Sequence, residues 1–241
     1  MASSFHIYGH RGSSGTHPEN TLHSFQAAHK AGAHGIELDV QLTKDLIPVV
    51  IHDERVDRTT NGIGFVKDFL YKDLVRLDAG QTFSSRFQGA SIPSLKSVLE
   101  WLTSTSLVLN IELKNAIFPY EHLESRVLDL LTHYQLCDRT IISSFNHYSI
   151  QQLAQRSSKV ETAILLMEKL FEPWEYLKHV GASSIHIEWE VIDDHLMANT
   201  QKRGIPVRAF TVNEPHQIHA LKTAGCSAIF TDFPAIAVQS K

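Results

Sequence analysis

Short apolar, β-branched runs alternate along the chain with longer stretches in which apolar residues recur at helical spacing, the rhythm of a parallel sheet with crossover helices. The runs predict strands at 5–9, 35–42, 107–114, 140–144, 161–166, 184–188, 206–212 and 228–231. Helical stretches are expected near 20–32, 94–104, 119–134, 146–157, 172–180, 192–203 and 214–224, with a short closing tail at 234–239. Helix punctuation agrees: Asn20 and Asp193 are placed to cap helices ending at Gly32 and Gly204, and Asn213 precedes one ending at Gly225. Eight strand and helix units are what a (β/α)8 TIM barrel requires. A two-domain doubly wound sheet ranks second, because no Gly/Ser-rich linker divides the chain.

One apolar run, at 47–51, stands outside this count. Only a few residues around Lys44 and Asp45 separate it from the strand before it, too few for a parallel crossover. It therefore predicts an antiparallel β-hairpin after the second strand, with a turn near 44–46 that brings residue 52 back beside residue 39. Residues 53–93 carry turn signals and a single helix-like piece near 66–77, so they read as an inserted subdomain over one rim of the barrel.

Composition narrows the functional classes. The 241 residues, 43% hydrophobic and 20% charged, describe an ordinary globular chain, read as one (β/α)8 catalytic domain over 1–241 that includes the insertion. A net charge of -4 with no basic run argues against nucleic acid as a partner. No segment approaches 18 consecutive apolar residues, and the N-terminal residues have no cationic or apolar leader pattern, so no membrane span and a cytoplasmic location are expected. The two cysteines, Cys137 and Cys226, form no C-x-x-C and read as reduced, structural thiols. The 15 histidines are scattered and expected mostly at the surface. Serine hydrolase, NTPase and dinucleotide signatures are absent.

Reactive side chains gather at the ends of the predicted strands, where a barrel keeps its chemistry. The first strand ends in His10-Arg11, the second carries Glu37 and Asp39, the hairpin return ends in His52-Asp53, and the next barrel strand ends in Glu112 and Lys114. Residues two apart on a strand share a face, so Glu37, Asp39 and Glu112 converge as a three-carboxylate cluster. Such a cluster needs a cation or shared protons, and all-oxygen ligands suit Mg2+, Ca2+ or Mn2+. A purely structural network with Arg11 and Lys114 would leave one negative charge unbalanced. His10 and His52 frame the cluster as an acid/base pair, and Arg11 and Lys114 supply fixed positive charge for a phosphoryl group. Phosphodiester cleavage fits this inventory. The Gly12-Ser13-Ser14-Gly15 stretch reads as a connecting loop with no role of its own.

In order, His10-Arg11-Gly12, Pro18-Glu19-Asn20-Thr21, Glu37-Leu38-Asp39-Val40, Thr43-Lys44-Asp45 and His52-Asp53 resemble the glycerophosphodiester phosphodiesterase family. The resemblance continues through Arg58-Thr59-Thr60-Asn61-Gly62, Ile92-Pro93-Ser94-Leu95, Ile111-Glu112-Leu113-Lys114, Ser144-Phe145, Thr211-Val212-Asn213 and Thr231-Asp232. It implies a barrel with an insertion and metal-dependent hydrolysis of a small glycerophosphodiester to sn-glycerol 3-phosphate and an alcohol. By the same resemblance, Glu37, Asp39 and Glu112 are the ligands of one divalent cation, His10 and His52 the acid/base pair, and Arg11 and Lys114 the phosphate clamp. Glu19 is either a support of the metal site or a helix-start carboxylate. Phe210 stands where the family usually has Trp, which keeps a ring for the glycerol side but loses the indole donor. Two alternatives share the barrel: phospholipase D-like hydrolysis of a lysophospholipid or sphingolipid, with a groove of Phe65, Phe69, Leu70, Tyr71, Phe83 and Phe87, and a non-catalytic phosphate-binding barrel. The sequence sets no oligomeric state.

Overall fold

The computed structural model describes residues 5–240. In chain order the elements are β1 (His6–Gly9), α1 (Leu22–Lys30), β2 (Gly35–Leu42), β3 (Pro48–Val50), α2 (Tyr71–Leu74), α3 (Leu95–Leu102), β4 (Val108–Leu113), α4 (Leu123–His133) and β5 (Thr140–Ser144). There follow α5 (His147–Arg156), β6 (Glu161–Leu166), α6 (Pro173–Val180), β7 (Ser184–Glu188), α7 (Asp194–Lys202), β8 (Val207–Phe210), α8 (Pro215–Ala224), β9 (Ala228–Thr231) and α9 (Pro234–Ser240). Eight strands pair in parallel in the order β1-β9-β8-β7-β6-β5-β4-β2, and β1 pairs with β2 to close the sheet into a TIM barrel. The eight predicted barrel strands all form, three of them trimmed at one or both ends by no more than two residues. No helix among the described residues is long and apolar enough to cross a membrane.

The helices ring the barrel because each has one apolar face at helical spacing. In α3 that face is Leu95, Val98, Leu99 and Leu102, all fully buried. Truncating one of them, such as Leu99→Ala, would cost about 2–5 kcal/mol. Asp193 caps α7 by accepting from the Leu196 amide, as its position predicts. Asn20 does not cap α1. Thr21 does, accepting from Ser24 N, while Asn20 takes a left-handed φ of 57° and turns its carboxamide into the barrel mouth. Asn213 likewise contributes no cap to α8 and bonds instead to the β9 end.

β3 runs antiparallel to β2, with Val40 opposite Val50 and a turn closed by Thr43 N donating to Ile47 O. The register differs by one residue from the sequence expectation: Ile51, not His52, lies opposite Asp39 and donates to its carbonyl. The single helix expected at 66–77 is broken into a short turn, Val66–Asp68, and the one-turn α2. The hairpin turn causes the break. Lys44 N takes the Phe69 carbonyl and Asp45 takes the Tyr71 amide, so residues 69 and 70 are held extended. The segment has its own small core of Val49, Ile51, Val56, Val66, Leu74, Ala79 and Ile92, against which Phe69 and Tyr71 pack. Phe65 meets Phe118 and Phe83 meets Phe87, both edge to face, and Phe83 stays 44% exposed.

Inside the barrel, Tyr8, Ile141, Ala163, Ala228 and Phe230 form a compact apolar layer. At its N-terminal end sits a polar cluster in which Arg208 Nη1 donates to Glu161 Oε1 at 2.7 Å and Ser184 Oγ at 3.0 Å. One cation faces one carboxylate there, so the pair balances.

Candidate active site

The strand register carries Glu37, Asp39 and Glu112 to one place. Glu37 lies opposite Asn110 and Asp39 opposite Glu112 on the adjacent strand. One carboxylate oxygen from each of the three lies within 4.8 Å of the others, with Glu37 and Asp39 buried. Asn20 Nδ2 donates to Asp39 Oδ2 at 2.8 Å, and Asp39 N donates back to Asn20 Oδ1, which fixes that carboxylate. The Arg11 amide donates to Glu37 Oε2 at 2.7 Å. That amide is aimed by a tight turn at the β1 end, where Arg11 takes a φ of 51° and Gly12 a φ of 83°. A Cβ on Gly12 would also collide with Ser24, so only glycine serves there.

Charge in the cluster is uneven. Burial and the charge of Asp39 push the Glu37 carboxyl up to about 8. They push Glu112 up as well, against the Lys114 ammonium that donates to its Oε1 at 2.8 Å. Asp39 goes the other way: burial would raise it, but Arg11, His52, Lys114 and the Asn20 bond together hold it down. Without a cation, therefore, a proton stays on the trio near neutral pH. Three converging oxygen donors that retain a proton for want of positive charge fit a hard divalent cation.

Both predicted histidines reach the cluster, each turned by a carboxylate. His10 Nδ1 donates to Asp232 Oδ1 at 2.7 Å, and His52 Nδ1 donates to Asp53 Oδ1 at 2.7 Å. Burial works against a charged His10, but the Asp232 bond and the charge of Glu37 outweigh it and raise its pKa. Burial would raise Asp232 too, yet its bonds from His10, Asn213 and Ser14 hold it down to about 2. Arg58 and then His52 hold Asp53 below the ordinary carboxylate range against partial burial. On its other side, His52 Nε2 lies 3.2 Å from Lys114 Nζ.

The remaining predicted residues line the same mouth. Arg11 Nη1 donates to Glu19 Oε1 at 2.7 Å, and its Nε lies 3.5 Å from Asp39 Oδ2. Glu19 is also bonded by Arg58, which grips Asp53 as well, so Glu19 ties the two histidine arms together through arginines. Phe210 lines the cavity below the cluster and meets Phe145 edge to face, with ring centroids 6.3 Å apart.

Sequence reasoning missed Asp232, Asp53, Arg58 and Ser14 as working residues, although each stands in a motif it had noted. It also missed Gln41, whose buried amide nitrogen lies within 3.1 Å of the Ile51, His52 and Asp53 carbonyls and sets the segment that carries His52. The only sequence signal for the two acids is adjacency: Asp53 follows His52, and Asp232 follows the last barrel strand.

Three carboxylates, two carboxylate-oriented histidines, an arginine and a lysine at the C-terminal mouth of a TIM barrel are the side chains that phosphodiester hydrolysis calls for. The comparisons agree. The profile of the glycerophosphoryl diester phosphodiesterase family matches residues 10–236, and the chain belongs to that family. It is 42% identical over 236 residues to a glycerophosphodiester phosphodiesterase of Bacillus altitudinis, covering 97% of this chain and 96% of that one. A glycerophosphodiester phosphodiesterase of Caldanaerobacter subterraneus is 40% identical over 228 residues, covering 95% and 94%. Among solved structures, a phosphodiesterase of Oleispira antarctica in complex with the product sn-glycerol-3-phosphate superposes with a TM-score of 0.90 at 30% identity, covering 98% and 96%. The chain is thus a glycerophosphodiester phosphodiesterase by family and fold.

Proposed function

We propose that this enzyme hydrolyses small glycerophosphodiesters, such as glycerophosphocholine or glycerophosphoethanolamine, to sn-glycerol 3-phosphate and the free alcohol, using one divalent cation and the His10 and His52 pair. The observation that carries the reading is the meeting of an under-neutralised carboxylate trio with two histidines, each held by its own carboxylate, at one barrel mouth. The product bound by the Oleispira antarctica relative supports the glycerol phosphate half.

Glu37, Asp39 and Glu112 would hold Mg2+, Ca2+ or Mn2+, which when bound offsets phosphoryl charge. Arg11 and Lys114 would hold the phosphoryl oxygens, and Phe210 would cover the glycerol carbons. The proton roles follow from what each ring touches. Lys114 only donates, so His52 Nε2 beside it keeps a lone pair and serves as the base for the attacking oxygen. His10, whose proton is favoured by Asp232 and Glu37 against burial, delivers it to the leaving alcohol. The attacking oxygen is water or the glycerol 2-hydroxyl, the latter giving a cyclic phosphate that water opens. In either case the bond that breaks joins phosphorus to the alcohol oxygen.

Turnover of glycerophosphocholine in 18O-labelled water, read by mass spectrometry, tests this. Label is expected in the phosphate and none in choline, and His10→Ala and His52→Ala are each expected to lose about 10² to 10⁴ in kcat. Label in choline, or release of phosphocholine, contradicts the reading.

A further inference from the structure

The face of β2 that carries Glu37 and Asp39 continues to Gln41, the next residue of the same alternation, which is fully buried. Its Nε2 donates to the carbonyls of Asp53 at 2.7 Å, His52 at 3.0 Å and Ile51 at 3.1 Å. β3 ends at Val50, so these three residues lie beyond the ladder and a single side-chain amide serves their carbonyls. The backbone of His52 is thereby tied to the strand that carries two of the three carboxylates.

The other end of that amide reaches a distant part of the chain. Tyr120 OH donates to Gln41 Oε1 at 2.9 Å, across 79 positions. Three carbonyls on one side require the NH2 group there, which turns Oε1 toward Tyr120, where a donor satisfies it. Burial, then the charges of Glu54 and Asp68, raises the phenol pKa above its ordinary value, so the hydroxyl keeps the proton it donates. The half-buried ring stands edge to face with Phe118, centroids 6.4 Å apart.

Tyr120 and Lys114 both belong to the connection from β4 to α4. Lys114 Nζ lies 3.2 Å from His52 Nε2, so this connection meets His52 at the ring and, through Tyr120 and Gln41, at the backbone. The His52 Nδ1 bond to Asp53 Oδ1 joins two residues whose carbonyls Gln41 also holds. The amide therefore sets where imidazole and carboxylate stand together relative to β2.

Resting on the reading of His52 as the base, we propose that Tyr120 is a positioning residue for the reaction, holding His52 at its working place through Gln41. Its part is geometric: the phenol neither changes charge nor passes a proton. A shift of about 1 Å in a reacting group can cost about 10² in rate, and losing one of the bonds that set the position costs part of that.

The test is a double-mutant cycle on the full-length enzyme with Mg2+ and glycerophosphocholine, in which kcat and KM are measured for wild type, Tyr120→Phe, His52→Ala and the double variant. Tyr120→Phe is expected to lower kcat about tenfold and to keep KM within about twofold, because a misplaced base weakens the transition state and leaves ground-state binding alone. In the His52→Ala background the same substitution should change kcat by less than about twofold, since the group it positions is gone. Gln41→Leu should show the same dependence on His52 with a larger loss, about 10² in kcat. An equal loss in both backgrounds would make Tyr120 structural and overturn the proposal, as would a loss that falls on KM. Where Gln41→Leu fails to fold, Tyr120→Phe decides alone, since it removes only a hydroxyl from a half-buried ring. Wild-type kcat in Tyr120→Phe beside a crippled His52→Ala overturns the proposal and leaves the base reading standing. Wild-type turnover in His52→Ala overturns both.

Discussion

The barrel contains two polar clusters, at opposite ends of its interior, and their charges are arranged differently. At the N-terminal end, Arg208 faces Glu161 at 2.7 Å with Ser184 and a neutral His186 around it. At the mouth, six carboxylates (Glu19, Glu37, Asp39, Asp53, Glu112 and Asp232) meet three fixed cations, Arg11, Arg58 and Lys114. The first cluster is balanced in charge by the folded chain alone. The second is not, and burial together with the Asp39 charge raises the Glu37 pKa. Charge balance separates the two clusters.

Substitutions that trade one cluster against the other test this difference. The largest effect is expected at Glu112→Gln, which keeps the volume but removes a charge from the mouth. A cation contributes several kcal/mol of charge stabilisation, so kcat should fall by roughly 10³. The melting temperature in chelator should stay within a few degrees of wild type, and a turnover number near wild type would refute the assignment.

Asp232→Asn should have a smaller effect with a defined sign. Asp232 helps keep the proton on His10, and an acid is active only while protonated, so activity falls as pH rises through the His10 pKa. Removing the bond and the charge lowers that pKa, and the falling limb of the pH-rate profile moves to lower pH. A limb that stays in place would exclude His10 as the acid.

The smallest effect on turnover is expected at the balanced end. Glu161→Gln leaves the buried Arg208 without a counter-charge, although the amide still accepts a hydrogen bond. Because Glu161 is 32% exposed, the loss of stability should be about 2 kcal/mol, below the 3–5 kcal/mol of a fully buried pair. Calorimetry should show a lower melting temperature with kcat on bis(4-nitrophenyl) phosphate within about twofold of wild type, given that the site lies at the other end of the barrel. A large catalytic loss with unchanged stability would reverse the comparison.

The legible part of the molecule was the part written locally. Strands, helices and the hairpin follow from periodicity and turn residues; period-two alternation and register bring Glu37, Asp39 and Glu112 to one face, and His10 and His52 stand just past strand ends. What sequence could not supply depends on closure. Asp232 reaches His10 across 222 positions because β9 pairs with β1. Asn20 reads as a helix cap in sequence because a small polar residue before a helix serves either use, and only the approach of β2 decides between them. The helix expected at 66–77 was lost to backbone bonds from a hairpin turn more than twenty residues earlier. His186, one of the scattered histidines, lies fully buried, because β7 turns it inward against Arg208 and Phe230.

The central claim, that the mouth is built around a divalent cation, has one direct measurement: the metal content of the purified protein by elemental analysis, followed with turnover of glycerophosphocholine before and after chelation. One Mg2+, Ca2+ or Mn2+ per chain is expected, absent in Glu112→Gln, with turnover abolished by chelator and restored when the ion is added back. Full turnover in excess chelator by a protein that contains no metal would contradict the account.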